Sequence, residues 1–171
     1  MNVKEVGRET VLTLAAAHAL VKLDDGTIVG DPMEKTTLDA MEWTLNNGEH
    51  KNTPFSFFSA LTQVFLGDTV TPPKNDASHG TKLIIRRRFH FSSALKRMST
   101  VSSLPSGVLI GAVKGAPETI KTMLTTVPEH YDETYKWFTR RGSRVLALGF
   151  KQMPALPTAT VRYSRPARKA R

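Results

Sequence analysis

The chain has 171 residues, 40% of them hydrophobic and 23% charged, and a formal net charge of +9. That length can bury a proper core as a single domain, and the composition is that of an ordinary globular protein. There is no cysteine, which excludes disulfides, thiolate zinc sites and cysteine nucleophiles, and no apolar run reaches the roughly 20 residues of a membrane span.

The opening residues Met1-Asn2-Val3-Lys4-Glu5 are polar and lack the apolar centre of a signal peptide, so the polypeptide taken alone is expected to be soluble. Its charge is uneven. Residues 1–80 hold six Lys/Arg against eleven Asp/Glu, and residues 81–171 hold eighteen against four. A basic half of this kind attracts anions: nucleic acid, lipid headgroups or nucleotide phosphates. The five histidines (His18, His50, His79, His90, His130) are scattered without metal-ligand spacing and are expected at the surface or in packing.

Residues 5–20 (EVGRETVLTLAAAHAL) predict a helix, with Val11, Leu12, Ala15, Ala16 and Ala19 as its apolar stripe. VKLDDGTIVG then reads as a hairpin turning at Asp24-Asp25-Gly26. Gly30-Asp31-Pro32 breaks the chain and starts a second helix in which Leu38, Met41 and Leu45 recur at helical spacing, closed by Asn46-Asn47-Gly48. Between there and residue 80, PFSFFSALTQVFLG is aromatic and apolar, and DTVTPPKNDASHG reads as a loop and an insertion.

After residue 80 the pattern becomes β. KLIIRRRFHF and KRMSTVSSL predict an antiparallel pair joined through Ser92-Ser93-Ala94-Leu95, and GVLIGAVK a third strand. A helix follows from Pro117. Another runs from about Glu129 to Arg141 with Tyr131, Tyr135 and Phe138 on one face, and SRVLALGFKQM is the final strand. The order predicts an α/β (α+β) layered domain, a mainly antiparallel sheet flanked by helices, over residues 1–150. Residues 151–171, basic and Pro-rich, are expected to be a flexible tail or a truncated connection.

Several stretches carry possible chemistry. The third strand stops at Lys114-Gly115-Ala116-Pro117-Glu118, which is either a plain strand–helix corner or one shaped for a ligand; it is not a Walker loop, whose lysine follows the glycines. Arg86, Arg87 and Arg88 precede Phe89, His90 and Phe91, and alternation places Phe89 and Phe91 on one face. Two aromatics flanked by cations can stack a base, or else both are core and the arginines solvated. No stretch matches the aromatic signature of the RRM recognition sheet. Glu34 lies in a helical first turn, where a carboxylate suits the helix dipole, and nothing marks it with Asp39 and Glu42 as an acid/base pair. Arg144 is unremarkable by itself.

Taken in order, Gly-Asp-Pro-x-Glu (30–34), Phe-Ser-x-x-x-Lys-Arg-Met-Ser (91–99), Lys-Gly-Ala-Pro-Glu (114–118) and Arg-Val-Leu-Ala-Leu (144–148) strongly resemble the nucleotide-binding (N) domain of P-type ATPases. The resemblance runs from about residue 5 to 150 with residues 46–80 unmatched. The wording between motifs (ALVKLDDGTIVGDPMEKTTLDAMEW, FHFSSALKRMS) is most similar to the fifth class, subgroup A, the endoplasmic-reticulum transporters associated with removing mislocalised transmembrane helices. The resemblance implies a twisted antiparallel sheet and an open cleft for ATP. Phe91 would stack on adenine, Glu34 would accept from its amino group, Lys114 with Gly115 would line the base and ribose pocket, and Arg144 would reach toward the phosphates. Many members carry Thr before the glutamate and Arg two residues after the phenylalanine; here these are Met33 and Ser93, with Lys96 or Arg97 as compensating phosphate contacts.

The Asp-Lys-Thr-Gly-Thr segment that accepts the phosphoryl group is not in this sequence. The resemblance therefore implies a domain with no catalytic residue and no metal site of its own, inactive alone, which presents Mg-ATP to a phosphorylation domain, with magnesium coordinated mainly outside this chain. Its partners would be the phosphorylation and actuator domains of a parent transporter, on the cytosolic face of the endoplasmic reticulum membrane; the domain itself would be monomeric and bind no nucleic acid. Two rival readings are a basic single-stranded nucleic-acid-binding module built on Phe89, Phe91 and the arginine run, and a membrane-surface adaptor working through the basic tail.

Overall fold

A computed structural model describes residues 5–48, 67–74 and 81–154. Helix α1 (Arg8–Ala16) is followed by the hairpin β1 (Val21–Lys22) and β2 (Ile28–Val29), then helix α2 (Pro32–Ala40) and strands β3 (Thr44–Asn46), β4 (Thr69–Thr71), β5 (Leu83–Ser92), β6 (Arg97–Ser103) and β7 (Leu109–Gly115). Helices α3 (Pro117–Lys121) and α4 (Tyr131–Arg140) precede the last strand, β8 (Ala147–Met153). Strands β3 to β8 form a six-stranded sheet in sequence order, every neighbouring pair antiparallel. This is the antiparallel sheet with flanking helices expected from the sequence.

The register defines two faces. Met98 stands opposite Lys114, Thr100 opposite Ala112 and Ser102 opposite Ile110, and on β8 Leu148 and Phe150 continue the rows. This inner face is covered by α1 through Val11, Leu12, Ala15 and Ala16, with Leu20, Leu38, Trp43, Leu45, Val70, Leu83, Ile85, Ile110 and Ala112 in the same buried cluster. The small side chains of α1 let its backbone lie close on the sheet. On the other face, α3 packs over β7 and β8 with Ile120 fully buried. Along β7 the inner row reads Ile110, Ala112, Lys114: two buried residues and then a lysine, which marks where the core ends and a site begins.

Two expectations need correction. The second helix ends at Ala40, and Leu45 lies in a strand. Met41, Trp43 and Leu45 are buried while Glu42, Thr44 and Asn46 are exposed, a period of two rather than of helical turns. The switch occurs at Glu42, which adopts a left-handed φ of 58° and turns the chain into the edge strand. Likewise Thr69–Thr71, read as loop, is strand β4, because Val70 is buried between β3 and β5. Residues 49–66 and 75–80 of the expected insertion, and the tail beyond residue 154, lie outside the described residues.

Candidate functional site

At the end of the inner face where Lys114 emerges, the structure forms an open cavity of about 650 Å³, within the size range of small-molecule sites. Its apolar wall includes Leu14, Met98, Phe138, Leu146 and Leu148, and its polar groups include His18, Asp31, Glu34, Lys114 and Arg144.

Each polar group has a local reason for its position. Asp31 caps α2, its Oδ1 accepting from the Met33 amide at 2.8 Å, and Pro32 occupies the first helical turn without wasting a donor. Gly30 precedes them at a φ of +146°, and a Cβ there would lie 2.7 Å from Leu20 Cδ2. The glycine therefore brings the start of α2 against the segment that leaves α1. The first turn of α2 then directs Glu34 inward. Its Oε1 accepts from Lys114 Nζ at 2.5 Å and its Oε2 from the Ala19 amide at 2.8 Å. The two side chains are only 10% and 13% exposed, so this is a largely buried ion pair with both carboxylate oxygens engaged.

The peptide joining His18 to Ala19 is held on both sides. Its N–H serves Glu34, and its C=O accepts from Arg88 Nε at 3.1 Å. Arg88 in turn pairs through Nη1 with Asp68 Oδ2 at 2.5 Å. His18 is buried, and its Nδ1 accepts from the Leu20 amide at 3.2 Å. Burial, followed by the nearby Arg88 and Lys114 charges, pushes its pKa from 6.5 down to about 4. The ring is thus neutral at pH 7 with its proton on Nε2, and that atom is buried without a hydrogen-bond partner among the described residues.

Phe91 lines the cavity although its residue is 64% exposed, leaving a ring face open to a ligand. It does not share a face with Phe89. Phe89 stands opposite Ser99 and Ser92 opposite Arg97, so β5 spends one more residue than β6 over that interval. This bulge restores Ser92 to the outer face and leaves Phe91 on the side of Met98. Phe89 instead lies beside Arg87, whose guanidinium is 5.6 Å from the ring centroid. The expected two-aromatic platform is therefore split between the faces.

The five residues singled out as ATP contacts, Glu34, Phe91, Lys114, Gly115 and Arg144, come from separate stretches of sequence and all line this cavity. Gly115 has a structural duty as well: a Cβ there would lie 2.4 Å from the Lys96 carbonyl oxygen and 2.9 Å from Arg97 Cα. Arg144 is 3.7 Å from Asp31 Oδ2 with its side chain 68% exposed, a cation at the rim. Ser93, Lys96 and Arg97 do not line the cavity. Lys96 turns at a φ of 48° and faces Glu118 at 3.8 Å, while Arg97 stands opposite Gly115 on the strand position facing away from Met98. His18, Met98 and Phe138, to which the sequence assigned no ligand role, also line the cavity, and only the tertiary fold brings them here.

No group of three His, Asp or Glu side chains that could hold a metal ion occurs among the described residues. No helix among them is long and apolar enough to cross a membrane.

An apolar-walled cavity with a few convergent polar groups has the form common to small-molecule sites. No family model matches the chain. Over 158 residues it is 46% identical to the endoplasmic reticulum transmembrane helix translocase of Saccharomyces cerevisiae, a match covering 92% of this chain and 11% of that protein. It is 46% identical over 155 residues to the endoplasmic reticulum transmembrane helix translocase of Aspergillus fumigatus, covering 85% of this chain and 11% of that protein. With a polyamine-transporting ATPase of Homo sapiens it shares 33% identity over 150 residues, covering 85% of this chain and 12% of that protein. The chain spans about a tenth of the length of these curated relatives. It belongs to the P-type ATPase family, and it is similar to one segment of those proteins.

Proposed function

We propose that this chain is the nucleotide-binding domain of a P-type ATPase and that it holds ATP by the adenosine end in the cavity between α2, the end of β5 and the end of β7. The observation that carries the proposal is the convergence of Glu34, Phe91, Lys114, Gly115 and Arg144 on that one cavity. A second consideration agrees with it. Relatives named for different cargoes, transmembrane helices and polyamines, share this segment, as expected of a part that handles the common energy source rather than the cargo.

In this reading Phe91 offers its open face to adenine, and the apolar wall excludes water from the base. Glu34 has carboxylate lone pairs left for the adenine amino group beyond those used by Lys114 and Ala19. Lys114 keeps donors for the ribose side. Arg144 at the rim meets the phosphates, which project from the domain. Bound ATP brings magnesium with it, and the metal takes its protein ligands from outside this chain.

Catalysis is then positioning: the domain carries the γ-phosphate to the aspartate of a phosphorylation domain when the parent protein closes, with the actuator domain completing the cycle. The fragment alone performs no hydrolysis. By likeness to the named relatives, the parent is a translocase of transmembrane helices in the endoplasmic reticulum membrane with this domain on the cytosolic side. A site this open gives a Kd on the order of ~1 mM for the isolated chain.

The test is an ATP titration followed by fluorescence or calorimetry, repeated with Phe91→Ala and with a single-stranded oligonucleotide. Phe91 is largely exposed, so its truncation spares the fold. Saturable ATP binding lost in Phe91→Ala supports the proposal. Tight oligonucleotide binding that collapses with salt, without an ATP response, overturns it in favour of a nucleic-acid module.

A further inference from the structure

We infer that Arg88 is a positioning residue for the nucleotide site, acting on Glu34 through the single peptide unit between His18 and Ala19. The inference rests on the nucleotide-binding reading above and adds to it a residue that itself stays away from the ligand: Arg88 does not line the cavity.

The geometry is a relay with one backbone plane at its centre. Arg88 Nε donates to the carbonyl of His18, and the N–H of that same peptide, on Ala19, donates to Glu34 Oε2. A cation at the oxygen end and a carboxylate at the N–H end both polarise the peptide in one sense, so each bond strengthens the other. The peptide lies between α1 and β1, outside any helix or strand, so no ladder fixes its plane. The two side chains do. Arg88 is fixed in turn by Asp68 Oδ2, and Asp68 Oδ1 accepts from the Gly48 amide at 3.1 Å.

The remaining freedom of Glu34 is small. With Oε2 on the Ala19 amide and Oε1 on Lys114 Nζ, rotation of the carboxylate breaks one bond or the other. Tilting the His18–Ala19 peptide therefore tilts the carboxylate, and with it the lone pairs left for the base. Guanidinium geometry matters here. Arg88 uses Nε for the carbonyl and Nη1 for the carboxylate at once, a two-point grip that a lysine ammonium does not reproduce.

The experiment is a double-mutant cycle on the full chain, with ATP affinity measured by titration and folding by thermal melting. Arg88→Lys keeps a cation beside Asp68; a second route, Arg88→Gln with Asp68→Asn, removes both charges together. Either change is expected to weaken ATP binding by about fivefold, and the effect is expected to shrink to under about twofold in a Glu34→Gln background, because the two residues act in series. A readout independent of nucleotide is the Ala19 amide in NMR, which should move in Arg88→Lys without ligand. If the weakening persists undiminished in Glu34→Gln, or if the Ala19 amide does not respond, Arg88 is a structural residue and the inference fails. If wild type and variants alike ignore ATP while the Ala19 amide still moves, the relay stands and the nucleotide reading fails instead.

Discussion

At the residue scale, the buried polar groups set the most direct expectations. His18 is neutral in the folded chain, with a pKa near 4 against 6.5 when exposed. Below pH 6.5 the unfolded chain takes up a proton that the folded chain refuses, so stability falls as pH drops from 6.5 toward 4. The loss approaches about 3 kcal/mol at the low end of that window. Urea melts of wild type and His18→Gln at pH 7 and pH 4.5 measure it, and the pH dependence should be clearly flatter in the variant. Lys114→Ala leaves the Glu34 carboxylate buried beside the Ala19 amide without its cation, at a cost of about 3 kcal/mol, readable as a drop in the urea midpoint at pH 7. Gly115→Ala should destabilise by about 2 kcal/mol, because the new methyl meets the Lys96 carbonyl and the Arg97 backbone rather than a yielding side chain.

At the element scale, α2 owes its start to local chemistry and its end to tertiary packing. Asp31→Ala removes the cap on Met33 and the partner of Arg144, and should cost about 1 kcal/mol in chemical denaturation. The same contrast explains what could be read in advance. Asp31-Pro32, the hairpin glycine, and the Lys114-to-Pro117 corner are local signals and stood where expected. Leu38, Met41 and Leu45 fit a helical stripe until the left-handed Glu42 is known, and β4 is a strand only because Val70 finds β3 and β5 on either side. The β5 bulge is of the same kind. Strict alternation put Phe89 and Phe91 together, and one extra residue between Phe89 and Ser92 separates them. The lining of the candidate cavity was legible where residues belong to sequence motifs, as Glu34, Phe91, Lys114 and Arg144 do. It was not legible for His18, nor for Arg88, which grips the His18 carbonyl from 70 residues away without lining the cavity.

At the scale of the whole molecule, the sheet supplies a rigid floor and the cavity lies where its inner face stops being apolar. The excess of basic residues in the second half suits an anionic ligand in general and does not by itself choose between a nucleotide and a nucleic acid. The architecture separates the two. A nucleotide held at the cavity depends on one ring, Phe91, and on a largely buried ion pair that salt screens weakly. A strand bound along the arginine run would instead lose affinity steeply with salt.

The most direct measurement of where a nucleotide binds is a two-dimensional amide NMR titration of the chain with ATP at constant salt. Saturable shifts confined to the amides of Ala19, Glu34, Phe91, Lys114, Gly115 and Arg144 are expected, with Phe91→Ala abolishing them. The absence of any shift up to about 10 mM ATP, an interaction weaker than about −3 kcal/mol, would contradict nucleotide binding at this cavity. So would shifts gathered on the opposite face around Arg87 and Phe89.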